Sequence, residues 1–255
     1  TVILIGVFII ILFFILNYYI LKSYECKFLD FEKNDVVKEK LSLYECFKYL
    51  FNSKYLMYIV IIVFSYNIVY NLSDVMWTYK LNLIFTSSKS LNCYISRISL
   101  ATGLIATIAA FIISGNVIRK YGWTVAGLIT PIVWIFASLF FFFFLIYEDI
   151  FTMEFLYNFL GNPCNFILFF GSVQMCLGRS CKYTVFDETK EIAFIPMSKE
   201  NQRKSKAVVD GIASRFGKSG GSIVYIWLLF LLGDMAFTIT YVSIIIFIVM
   251  FFWII

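Results

Sequence analysis

The chain has 255 residues, 61% of them hydrophobic and only 15% charged, with 21 Lys and Arg against 16 Asp and Glu and no His. Soluble domains run at about 45–50% apolar and about 25% charged, so this balance, with a mean hydropathy of +0.86, excludes an ordinary soluble domain. The apolar runs are also too long for outer-membrane barrel strands. The lack of His removes imidazole ligands, His proton relays and Ser-His triads, and a net charge of +5 is too modest to indicate nucleic acid.

Residues 1–20 form an uninterrupted apolar run, long enough to cross about 30 Å of hydrocarbon. The run has no initiator Met, no basic leader and no small-residue cleavage site, so it reads as a span and not as a signal peptide. The chain is accordingly expected to begin inside a longer protein. Residues 22–54 are a polar connector with seven Lys and six acidic residues. Within it, Leu43, Cys46, Phe47 and Leu50 share a face of an expected surface helix over 41–51.

Residues 55–77 are the second span. Asp74 falls near its end and Lys80 follows six residues later, about 1.7 turns, so an Asp74–Lys80 pair requires an unwound segment. Asp74 is read either as an interfacial carboxylate or as one that binds substrate or couples ions, and Lys80 as its partner or as a snorkelling side chain. The third span, 96–118, has a small-residue face of Ala101, Gly103, Ala106, Ala109, Ala110 and Ser114 that permits close helix approach. Arg119-Lys120-Tyr121-Gly122 makes a tight turn. The fourth span, 123–147, carries Pro131 as an expected kink, and Glu148-Asp149 is an acidic turn. The fifth span, 151–177, is interrupted at Gly161-Asn162-Pro163, a pattern that points to a site or a kink. Residues 179–206 read as a second charged loop. The sixth and seventh spans are 207–232 and 236–255.

Lys and Arg mark the cytoplasmic side of a membrane protein. The connector, the 119–122 turn and the 179–206 loop carry sixteen of them. The alternate loops carry three: Lys80, Lys89 and Arg97. Strict alternation through seven spans then places the connector, the 179–206 loop and the C-terminus in the cytoplasm. The six cysteines show no CxxC and no paired metal spacing, so they read as free thiols.

The sixth span is where charge enters a membrane helix. An unpaired intramembrane charge costs roughly 2.5–3.5 kcal/mol, so such residues face a partner or a water-filled path. Lys206, Asp210, Ser214, Lys218 and Ser222 recur every four residues as one polar stripe. Gly217, Gly220 and Gly221 thin the helix beside Lys218. Lys218 offers ammonium donors and Arg215 a guanidinium fork, which suits a phosphate chain. The bland alternative is a stripe neutralised by Asp74 or Asp210 with no ligand. Gly217-Lys218-Ser219 is not the end of a P-loop. Five residues separate Gly211 from Gly217 where that motif allows four, and no strand precedes it.

Several blocks carry a family resemblance. They are Asn71-Leu72, Asp74-Val75, Trp77, Lys80-Leu81, Ala101-Thr102-Gly103, Lys120-Tyr121-Gly122-Trp123 and Ile129-Thr130-Pro131. They continue through Lys182-Tyr183, Phe186-Asp187, Thr189-Lys190-Glu191, Ala193, Ile195-Pro196, Lys206-Ala207, Val209-Asp210, Ser214-Arg215 and the Gly217-to-Gly221 run. Over about residues 55–221 the chain resembles the non-mitochondrial ATP/ADP translocases of intracellular parasites and plastids. The resemblance implies an all-α membrane protein, the C-terminal half of a twelve-helix major-facilitator-type transporter. About seven helices would be present: 1–21 as the last helix of the N-terminal half, 22–54 as the central cytoplasmic connector, and 55–255 as the six-helix C-terminal half. It implies exchange of ATP for ADP by alternating access, without hydrolysis and without a cofactor. Its partners would be the lipid bilayer and the missing N-terminal half, in a parasite plasma membrane or a plastid envelope. Asp74 stands where the family usually has Glu, and Lys218 matches its functionally important Lys. The substrate-binding or coupling set is thus Lys218, Arg215, Asp74, Lys80, Asp210 and Ser214. Transport of other nucleotides or NAD, with or without protons, stays open. So does a membrane-embedded enzyme built on the acidic residues Asp187, Glu188 and Glu191.

Overall fold

In hydrocarbon a backbone N–H or C=O has no water to bond, so an apolar segment satisfies these groups locally only as a helix. The computed structural model describes residues 53–113, 116–148 and 163–254, with Ile11 and Ile15, and is helical throughout apart from short turns. Its contacts divide the chain into two compact units, Thr1–Leu43 and Tyr44–Ile255. Helix α1 is Lys54–Ile84, α2 Ser88–Ile113, α3 Asn116–Ile146 and α4 Pro163–Cys181. After a π-helical turn at Lys182–Phe186 come α5, Asp187–Ala193, and α6, Lys199–Val208. A second π-helical turn, Val209–Ala213, leads into α7, Ser214–Leu232, and α8 is Met235–Ile254. All eight belong to the second unit. The first span, most of the connector and the Gly161-Asn162 interruption lie outside the described residues; Pro163 opens α4.

Four of these helices are long and apolar enough to cross a membrane: α1, α2, α3 and α8. That establishes a helical membrane protein. Ser53 caps α1, its hydroxyl accepting from the Leu56 N–H at 3.4 Å. The expected third span starts earlier than its sequence suggests, at Ser88, because polar Ser88 to Ser90 are carried into the first turn. The expected turn at 119–122 is a break inside α3, at Gly122 with φ +84°. Only a residue without Cβ adopts that conformation readily.

The expected loop at 179–206 is largely helix. From Pro163 to Ala193 the chain continues through α4, the π-turn and α5, leaving only a short non-helical link before α6. The charges of this stretch hide its helical character, because several of the residues between them are buried: Val185, Phe186, Ala193 and Phe194 are core residues, as are the hydroxyl-bearing Ser180, Thr184 and Thr189.

Helix α1 packs against α7, α8 and α4; α3 packs against α4 and α8; α2 rests on α4. One end of the bundle gathers Tyr55, whose OH donates to the Ala193 carbonyl at 2.7 Å, and Trp123, whose Nε1 donates to the Thr189 carbonyl at 2.8 Å. The other end gathers Lys80 and Glu148 in an ion pair. Residues that alternation assigns to the same side of a membrane therefore do meet.

Candidate functional site

Helix α1 is the hub. Its 31 residues span about 46 Å at 1.5 Å per residue, and its middle turns carry Asn67, Tyr70, Asn71 and Asp74. Residues three and four apart lie side by side on a helix, so these four form one polar stripe. Two helices converge on it.

The first is α7. Gly217 lets it approach Asn67, and Gly221 lets it approach Asn71: a Cβ built on either glycine would stand 2.7 Å from the asparagine side chain. The Ser222 hydroxyl donates to Asn71 Oδ1 at 3.2 Å. Lys218 lies between the two glycines. It is exposed, as is Arg215, and neither makes an ion pair among the described residues.

The second is α4. Gln174 Nε2 donates to Ser73 Oγ at 3.2 Å and to Ser138 Oγ at 2.8 Å, and all three side chains are buried. This bond set fixes the register of α4 against α1 and α3. Five residues on, Arg179 Nη2 donates to Asp74 Oδ1 at 3.1 Å, and Arg179 Nε donates to the Tyr70 OH at 3.0 Å. The guanidinium also lies over the Tyr70 ring, 5.6 Å from its centroid. Tyr70 is about 24 Å and Asp74 about 30 Å along α1, so this pair sits within an apolar helix, about two thirds of the way along it, where an isolated charge would be costly.

The six residues expected to form the site thus separate. Asp74 pairs with Arg179 and not with Lys80. α1 stays helical through both positions, so the unwound segment that an Asp74–Lys80 pair required is absent from it, and Lys80 reaches Glu148 instead. Asp210 bonds Lys190 of α5 at 2.8 Å, while Lys206 pairs with Glu191. Asp187 lies 3.9 Å from Lys182 and 3.8 Å from Lys190. The four-residue stripe is therefore shared. Its upper members join α5 and its lowest, Ser222, joins α1. Ser214 is half-buried at the start of α7, and Lys218 is the charged member without an ionic partner among the described residues. Steps of four drift by about 40° on an α-helix, and the wider π-turn at Val209–Ala213 takes up part of that drift.

Because exposed pairs contribute only about 0–1 kcal/mol, Asp210→Asn in the full-length protein is expected to lower the unfolding free energy by no more than ~1 kcal/mol. The substrate KM should stay within about fivefold of wild type, the factor that 1 kcal/mol represents. A thermal melt and a transport assay measure the two, and a KM change beyond tenfold would place Asp210 in the site.

A cavity lies elsewhere. About 440 Å³ opens between α1, α3, α5 and α8, lined by Tyr58, Ile62, Trp123, Leu128, Phe186 and Trp253 among others. It is mainly apolar, and none of the six expected residues lines it. Among the described residues no cluster of His, Cys, Asp and Glu could hold a metal ion.

Sequence reasoning missed Arg179 and Glu148. The available signal for Arg179 was its setting, a lone cation in the run from Gly171 to Cys181. Ending the fifth span at 177 put it in a loop.

These charges sit on a chain that matches the TLC ATP/ADP transporter family over residues 1–255. The chain belongs to that family. It is 39% identical over 222 residues to ADP,ATP carrier protein 2 of Chlamydia pneumoniae, covering 85% of this chain and 40% of the relative. It is 35% identical over 217 residues to ADP,ATP carrier protein 1 of Chlamydia trachomatis serovar D, covering 85% and 41%. ADP,ATP carrier protein 1 of Rickettsia bellii is 34% identical over 192 residues, covering 75% and 38%. The chain therefore spans about two fifths of the length of these relatives. No solved structure matches it. The family is one of transporters and not of enzymes, which speaks against the membrane-enzyme reading. For this TLC family member the sequence resemblance to ATP/ADP translocases was correct.

Proposed function

We propose that this chain is the C-terminal part of a nucleotide antiporter that exchanges ATP for ADP across a membrane by alternating access. The observation that carries the reading is the polar stripe of α1, against which the glycines flanking Lys218 press α7 and to which α4 brings Arg179. Two cations beside one polar stripe in a helical membrane protein suit a polyanionic solute that must leave again. The names of the relatives, ADP,ATP carrier proteins, support ATP and ADP as that solute. On this reading residues 1–21 end the N-terminal half of a twelve-helix, major-facilitator-type protein, 22–54 connect the halves on the cytoplasmic side, and 55–255 are the C-terminal half with six of about seven spans. The N-terminal half supplies the opposing wall of the pathway, and the bilayer surrounds both. The membrane would be the plasma membrane of an intracellular parasite or a plastid envelope. Exchange runs on the two nucleotide gradients and consumes no bond energy.

The test is uptake of labelled ATP by the full-length protein in vesicles loaded with ADP. Uptake is expected only into ADP- or ATP-loaded vesicles, with competition by external ADP and little by GTP or NAD. Competition by NAD, or uptake into empty vesicles driven by a proton gradient, would replace this reading by one of the other transport modes.

A further inference from the structure

The Arg179–Asp74 contact is a poor ion pair in a place that makes ion pairs expensive to waste. Arg179 carries five N–H donors in a fork that matches two oxygens at once. Only one of them reaches Asp74, and only one carboxylate oxygen accepts, at 3.1 Å. A second goes sideways to the Tyr70 OH. Both side chains keep solvent access, 25% for Arg179 and 36% for Asp74, although Asp74 lies within α1, about two thirds of the way along it. The backbone behind them is held firmly: Gln174 bonds two buried hydroxyls on α1 and α3, and Tyr70 covers one face of the guanidinium. The cation is fixed in position, half-satisfied and open on one side.

We propose that Arg179 is a phosphate-binding residue of the transport site, and that Asp74 holds its guanidinium only while the site is empty. An incoming nucleotide phosphate presents two oxygens to the unused side of the fork and displaces the single Asp74 contact. The freed carboxylate then turns away from the bound anion. When the phosphate leaves, Asp74 returns and neutralises Arg179, so no bare cation stays in the span. Lys218, carried to the same α1 stripe by the close approach of Gly217 and Gly221, takes a neighbouring phosphate as a point charge. Competition between Asp74 and phosphate keeps affinity low enough for release, which an exchanger needs in both directions. The inference rests on the nucleotide reading above and adds to it a ligand and its internal competitor.

The sign of one substitution separates this from a structural salt bridge. ADP binding to the purified full-length protein is measured by calorimetry for wild type, Arg179→Gln, Arg179→Lys and Asp74→Asn, with adenosine as the phosphate-free control. Thermal melts report folding. Arg179→Gln is expected to weaken ADP at least tenfold and to leave adenosine unchanged. Arg179→Lys, which keeps the charge and loses the fork, should fall between. Asp74→Asn should bind ADP about fivefold or more tightly while ATP/ADP exchange in vesicles slows, because the competitor that drives release is gone. If Asp74→Asn and Arg179→Gln weaken ADP alike, or if adenosine falls with ADP, the pair is structural and the proposal is overturned. A wild-type protein that binds no ADP overturns the nucleotide reading itself.

Discussion

Lys218→Ala in the full-length protein abolishes ATP/ADP exchange, lowering the rate at least about a hundredfold while the protein still folds. The magnitude follows from the bonds lost. A hydrogen bond to a charged group contributes about 1.5–3 kcal/mol, and an ammonium on a phosphate chain makes two or three of them. Even two at the lower end amount to about 3 kcal/mol, a factor of more than a hundred. Folding is spared for a separate reason. Lys218 is exposed and has no ion pair among the described residues, so its removal leaves no buried carboxylate behind. Lys218→Arg keeps the charge but spreads it over a planar fork, and partial activity is expected. The measurement is labelled ATP uptake into ADP-loaded proteoliposomes, normalised to incorporated protein, with a melt of each variant. Near-normal uptake by Lys218→Ala would remove Lys218 from the site. A collapsed melt would reassign it to the fold.

The contrast between Lys218 and Arg179 shows what the amino-acid order makes legible. Helix type and most span positions can be read, because apolar runs of twenty or so residues have one solution in hydrocarbon. Lys218 can be read as well: it is a charge inside such a run, flanked by glycines and carried in a block that resembles a known family. The pairing of Asp74 cannot. Its partner is 105 residues away, and local spacing offers only Lys80, which in the folded chain belongs to Glu148. Arg179 was hidden further by its neighbours. The run of charges from Lys182 to Lys190 resembles a solvated loop, yet the alternate residues Val185, Phe186 and Thr189 are buried and keep the segment helical. A burial pattern with a π-turn in it does not hold the 3.6-residue period that a sequence search seeks. The partner of Asp210 is hidden in the same way: it stands in an apolar run, and α5 folds back beside it and supplies Lys190.

The glycines that thin the sixth span make room for the neighbouring helix α1, which has its own measurable consequence. Gly217→Val is expected to be the most destabilising single substitution on α7. Any Cβ at position 217 would stand 2.7 Å from the Asn67 Cβ and 3.0 Å from the Phe64 carbonyl oxygen. Both atoms are fixed to the α1 backbone, so the helix must move and no rotamer change can relieve the clash. Overpacking of this kind costs about 1–3 kcal/mol and sometimes more, and the displacement also breaks the Ser222–Asn71 bond. Gly221→Ala should cost less. Its Cβ would meet the Asn71 Oδ1 at 2.7 Å, the end of a side chain that can rotate at the expense of the same hydrogen bond. Gly103→Ala should be nearly neutral, since nothing lies within 4 Å of a Cβ there. Melts of the three full-length variants in detergent should rank Gly217→Val below Gly221→Ala below Gly103→Ala. Because α7 carries Lys218 to the stripe of α1, loss of exchange should follow the same order. A Gly217→Val protein that melts like wild type would mean that α7 does not press against α1 at this point, and the convergence of Lys218 and Arg179 on one stripe would fail with it.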